Sequence, residues 1–185
     1  MAGGWGTPGV VLAMVEVMNT ETKQWSTAVN LPEPIASGSL VQVDNEHIYF
    51  LGGFEIPRRG KKSVYTCSVS TLLQSCNSKS QGTRSFLPSN TASVWSKIAD
   101  LPVTYSTCVS LHGRLLVVGG QDSHAIPSSA LHMYDPSTNS WQVVSHMATP
   151  RYSCYAAVLP DNQLMVVGGG TVSGDIDTVE IATVV

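Results

Sequence analysis

The stretch LLVVGGQDSHAIPSSALHMYDPSTNSW, Leu115 to Trp141, decides how the chain is read. Leu115 to Val118 is a continuous apolar run, too short for a helix and closed by Gly119 and Gly120. Such a run is a strand buried on both faces. Glycines at its end allow positive φ and close backbone approach where the chain turns away. A polar stretch, a second apolar run (Ala130 to Asp135), the turn residues PSTNS and a tryptophan follow.

The pattern recurs along the chain. Glycine pairs stand at Gly3-Gly4, Gly52-Gly53, Gly119-Gly120 and Gly168-Gly169, with 49 residues from Gly3 to Gly52 and again from Gly119 to Gly168. The middle interval, 67 residues, is longer by about the length of one insertion. Trp25 and Trp141 each lie 21 residues after the second glycine of a pair, whereas Trp95 lies 42 after Gly53. The insertion therefore falls between Gly53 and Trp95. Six residues after each tryptophan stands Leu31, Leu101 or Met147, with a proline following at Pro32, Pro102 or Pro150. Three markers in one phase, at a period near fifty with four short strands per unit, point to a propeller.

The double glycines, MYDPSTNSW (Met133 to Trp141) with its echo EVMNTETKQW (Glu16 to Trp25), and ATPRYSC (Ala148 to Cys154) resemble the kelch-repeat family over nearly the whole chain. The fold expected is all-β: a kelch-type β-propeller segment of about three blades, each a four-stranded antiparallel sheet with strands a to d from the axis outwards. Within the single segment 1–185, strands c and d of a partial blade fall in 10–30. A blade with a long insertion at 72–91 occupies 36–99, a further blade 103–146, and strands a to c of a partial blade 151–184. Short apolar runs bounded by turn residues predict essentially no helix. Trp25, Trp95 and Trp141 are expected in equivalent, largely buried places. The arc is incomplete on this template, so the remaining blades are expected from a longer chain, with self-association as the alternative.

Composition excludes some partners. Apolar residues make up 43% and charged residues 12%, about half the usual charged share, and the net charge is −3. Nothing in that balance attracts nucleic acid or an anionic membrane. GVVLAMVEVM near the N-terminus has no basic flank, carries Glu16 and is too short to span a bilayer. A cytoplasmic protein is expected. Cys67, Cys76, Cys108 and Cys154 lack any CxxC spacing for zinc. Reduced thiols are expected, with a Cys67–Cys76 pair left open for an oxidising compartment.

No chemistry declares itself. His47, His112, His124, His132 and His146 share no spacing that would converge them on one metal, and no GxSxG elbow appears. No metal, cofactor or catalytic residue is assigned. PRRGKK, Pro57 to Lys62, is the densest charge cluster and reads as a solvated loop or a contact for an acidic protein. The kelch resemblance implies that b–c and d–a loops share one face that holds protein or peptide partners. The matching residues are Arg58, Arg59, Tyr105, Gln121, Asp122, His124, Arg151 and Tyr152, although Arg151 equally suits a structural role at the start of strand a. The resemblance implies a non-catalytic interaction module, for example a ubiquitin-ligase substrate receptor or signalling scaffold. A galactose-oxidase-like enzyme fragment is the alternative.

Overall fold

The computed structural model describes residues 1–55, 59–77 and 94–183. The first sheet pairs β1 (Glu16–Met18) with β2 (Trp25–Thr27), strands c and d of a partial blade. The second blade begins with β3 (Ser39–Gln42) and β4 (His47–Leu51), and the hairpin β5 (Phe54–Glu55) and β6 (Arg59–Gly60) rises from its b–c connection. It continues through β7 (Val64–Ser68), helix α1 (Val69–Asn77) and β8 (Ser96–Lys97). The third blade is β9 (Thr107–Leu111), β10 (Arg114–Val118), β11 (Ala130–Asp135) and β12 (Ser140–His146). The last contains β13 (Tyr155–Leu159), β14 (Gln163–Val167), the hairpin β15 (Gly170–Thr171) and β16 (Gly174–Asp175), and β17 (Val179–Thr183). Sheet orders are β3-β4-β7-β8, β9-β10-β11-β12 and β13-β14-β17, antiparallel throughout.

The core lies between blades. Leu115 and Val117 of β10 face the second blade and pack with Leu51, Val64, Leu101 and Val103. Leu116 and Val118 face the last blade and meet Cys154, Leu164 and Val166. All four are at most 2% exposed, which is why the run shows no alternation. Each such side chain contributes about 1.5–3 kcal/mol through burial. Gly119 follows at φ 61°, and a Cβ there would lie 2.5 Å from the Arg151 carbonyl oxygen. Gly120, at φ 111°, would bring one to 2.6 Å from that of Thr104. Only glycine fits, because connectors cross directly over the strand end, the next blade's at Gly119 and the blade's own at Gly120. Gly52, Gly53, Gly168 and Gly169 repeat the positive φ.

The tryptophans divide. The Trp95 indole N–H donates to Val29 O at 3.5 Å, and that of Trp141 to Ala99 O at 3.2 Å. Val29 and Ala99 each stand two residues before the leucine that opens a blade-to-blade connector, Leu31 or Leu101. The two indoles thus clasp equivalent carbonyls of the preceding blade, and Trp95 is only 3% exposed. Trp25 departs from the expectation of burial: it is 56% exposed, because no connector precedes its blade among the described residues.

Helix α1 is a second departure, since no helix was expected. The Ser68 hydroxyl caps it by accepting the Thr71 N–H at 3.1 Å. Leu72 is buried against Trp95 and Val15, and Ser75 Oγ accepts the Val29 N–H at 3.1 Å. Of the stretch 72–91, residues 78–91 lie outside the described residues. All four cysteines are free thiols. Burial pushes the Cys67 thiol up to about 11 and that of Cys108 to about 12.

Candidate recognition face

Each of three blades begins from a left-handed residue. Ser37, Tyr105 and Ser153 have φ of 53°, 53° and 50°, and each ends the connector that leads to an inner strand. A non-glycine residue there costs about 1–2 kcal/mol, so the surroundings must hold it. Backbone bridges do this: Ala36 pairs with Phe54, Thr104 with Gln121, and Tyr152 with Gly170. These pairs fasten every d–a connector to the b–c connection of its own blade. The Ser153 N–H also donates to Tyr105 O at 2.7 Å, joining neighbouring blades next to the axis.

The three turns surround a cavity of about 520 Å³. Ser37 and Ser39, Ser106 and Thr107, and Ser153 bring hydroxyls to it from three successive blades. Phe54, Tyr105 and Tyr155 supply aromatic surface, and Tyr155 is 80% exposed. Cys154 borders the cavity too, but burial raises its pKa and keeps the thiol neutral.

Small hairpins stand around this mouth because antiparallel order sends every b–c connection to the same end of its sheet. Trp5 bridges Val11, β5 pairs β6, Gln121 bridges Pro127, and β15 pairs β16. Their apolar residues Trp5, Val10, Ile126 and Val172 are about half exposed or more. Trp5, outside the phase of the other tryptophans, lies with its ring centroid 5.9 Å from that of Phe54. Asp122 organises its hairpin by accepting the His124 and Ile126 N–H groups at 2.8 and 3.0 Å. Those bonds, Ile126 first and then His124, hold its carboxyl below the ordinary value.

The residues proposed from sequence meet different fates. Tyr105 lines the cavity, Gln121 and Tyr152 make the bridges through their backbones, and Asp122 and His124 stand on a hairpin beside it. Arg59 is exposed on β6, while Arg58 lies outside the described residues. Arg151 corrects the sequence expectation of a binding residue: it is completely buried. Its guanidinium donates to Gly168 O, Thr178 O and Oγ1, Thr149 O and, at 2.5 Å, the Glu180 carboxylate. It pins the last connector onto its sheet and faces no partner. The lysines of PRRGKK are also engaged. Lys61 Nζ lies 2.8 Å from Glu33 and 2.5 Å from Glu55, and Lys62 donates to Pro102 O at 2.9 Å. Glu33 also accepts the Tyr65 hydroxyl. Burial would raise the Glu33 pKa, yet hydrogen bonds led by Lys61 bring it below its usual value.

Sequence reasoning missed Ser37, Phe54, Ser153 and Tyr155. The signal lay in the alignment of ASGS, TYST and YSCY, where a left-handed residue recurs just before strand a. Among the described residues no group of three or more His, Cys, Asp or Glu side chains is arranged to hold a metal ion. A further cavity of about 450 Å³, lined by Val43, Tyr49, Arg114 and Tyr134, opens at the a–b turns of the opposite face.

A family model described as the Kelch motif matches residues 102–148. An F-box/kelch-repeat protein of Arabidopsis thaliana is 35% identical over 77 residues, covering 40% of this chain and 20% of its own length. Kelch-like protein terF of Aspergillus terreus is 28% identical over 159 residues, 84% of this chain and 30% of that protein. The chain thus spans less than a third of these curated relatives. The solved structure of YjhT superposes with a TM-score of 0.64 at 16% identity, over 93% of this chain and 52% of that one.

Proposed function

The chain belongs to the kelch-repeat family, and on that premise we propose that it is a non-catalytic protein-interaction module whose axial cavity and surrounding hairpins receive a protein partner. The observation that carries this reading is the repeated left-handed turn. Three blades hold a strained residue at the same place, and together the three turns form one cavity. Strain maintained in register at a cavity mouth is the mark of a preorganised surface. Aromatic and half-exposed apolar residues on rigid hairpins supply contact area at little conformational cost. The F-box named in the Arabidopsis relative supports a role in presenting the captured protein to other machinery, as a ubiquitin-ligase substrate receptor or scaffold does.

The test is affinity capture from cell lysate with quantitative mass spectrometry. Proteins captured by the wild-type chain are expected to be lost with Tyr155→Ser and Ile126→Asp on the cavity face. They should be retained with Arg114→Ala on the opposite face. Retention by both cavity-face variants, or loss with Arg114→Ala alone, refutes the assignment of this face.

A further inference from the structure

We infer that the cavity selects an uncharged, extended peptide segment carrying an aromatic or aliphatic side chain, and not the acidic partner that PRRGKK suggests. This rests on the recognition reading above and gives its partner a chemistry. No carboxylate, ammonium or guanidinium lines the cavity among the described residues: its polar groups are hydroxyls and backbone. Hydroxyls both donate and accept, which suits the alternating N–H and C=O groups of an extended chain. A charged side chain placed there would lose its hydration and find no countercharge.

Of the cations nearest the mouth, two are paired with carboxylates and a third is engaged by a carbonyl, which leaves Arg59 exposed on β6. Lys61 is held between Glu33 and Glu55, Lys62 is bonded to Pro102 O, and Arg151 is buried on Glu180. Asp122 and Asp175 on neighbouring hairpins add negative charge beside the mouth, which repels an acidic segment. Phe54 and Tyr155 add apolar surface to the same lining, which suits an aromatic or aliphatic side chain.

The experiment is selection of a phage-displayed library of random 12-residue peptides on the immobilised chain in 150 mM NaCl, counter-selected against Tyr155→Ser. Tyr155 is 80% exposed, so this variant keeps its fold, which a thermal melt verifies. At ordinary residue usage such peptides carry about three charged residues each. Enriched peptides are expected to carry fewer than one on average, and to share one aromatic or aliphatic position. A synthetic copy of an enriched peptide should change its Kd less than twofold between 50 and 500 mM NaCl, and lose at least tenfold with Tyr155→Ser. Enrichment of acidic peptides whose binding falls with salt and with Arg59→Ala overturns this inference while leaving a recognition face in place. Absence of any enrichment over the counter-selected variant overturns both.

Discussion

Removing the Arg151 guanidinium separates a structural cation from a binding one. Arg151 is fully buried, and Glu180, its ion-pair partner, is 25% exposed. Arg151→Ala strips Gly168 O and both oxygens of Thr178 of a donor and leaves a carboxylate without its countercharge. Breaking a buried pair from one side costs about 3–5 kcal/mol. Here the lower end applies, because Glu180 is partly solvated and keeps the Ala148 and Thr149 N–H groups at 2.8 and 3.0 Å. About 3 kcal/mol in a chain of this size lowers Tm by about 6–12 °C. Urea unfolding followed by intrinsic fluorescence measures it directly. Arg151→Met combined with Glu180→Leu is expected to recover only part of the loss, since it removes the uncompensated carboxylate but leaves the Ala148 and Thr149 N–H groups without their acceptor. A loss below about 1 kcal/mol in Arg151→Ala, against the 3–5 expected for a broken buried pair, would refute the structural assignment. It would return Arg151 to the list of binding residues.

The tryptophans should separate by burial: Trp95→Ala is expected to cost about 3–5 kcal/mol, Trp141→Ala less, and Trp25→Ala under about 1 kcal/mol, all by urea unfolding. Trp95→Phe keeps most of the apolar area, so about 1 kcal/mol reports the indole bond to Val29 O. For His132, burial and then the nearby His146 lower the pKa below 6.5, so the unfolded chain binds the proton more readily than the folded one. Stability from this group is therefore complete at neutral pH and falls as the pH drops below 6.5. Between pH 7 and 5 the wild type should lose more of its urea midpoint than His132→Phe does, and equal losses would remove His132 as the cause.

What the sequence made legible was whatever repeats at the level of packing. Gly119 and Gly120 announced a strand end crossed by a connector, and Leu115 to Val118 announced a strand buried on two faces, because both demands recur in each blade. Helix α1 was written in Val69, Leu72, Leu73 and Cys76, spaced for one helical face. The polar residues around that spacing concealed it, and its capping serine reads equally well as a turn residue. Trp25 shows a limit of another kind: the repeat gave its place in the blade, but burial depends on a neighbour that a repeat does not supply. Charge misled most at PRRGKK and Arg151, since Glu33 lies in a connector and Glu180 at a strand position that holds Tyr65 and His132 in the other blades, so the motif announces neither glutamate.

The same limit explains His132. Tyr65, His132 and Glu180 occupy one position in successive blades, each paired with the penultimate residue of strand b, namely Phe50, Val117 and Val166. Tyr65 reaches Glu33 in the connector ahead of its blade, and Glu180 reaches Ala148, Thr149 and Arg151 in its own. His132 makes no such bond through Nδ1, which is buried without a hydrogen-bond partner. The connectors differ in length. Six residues separate Leu31 from Ser37 and Met147 from Ser153, but only four separate Leu101 from Tyr105. Leu31, Leu101 and Met147 each donate a backbone N–H to a residue just ahead of strand c of their blade, Ala13, Lys62 or Ser129, so the connectors start in register and the deficit falls in the segment that faces this position. The shortened connector has no residue in the place of Glu33 or Thr149. One backbone frame therefore carries three chemistries, and connector length selects among them. By the same reasoning the cavity takes its chemistry from the individual residues that end each connector, which is why its partner is argued from Ser37, Tyr105 and Ser153 and not from the repeat.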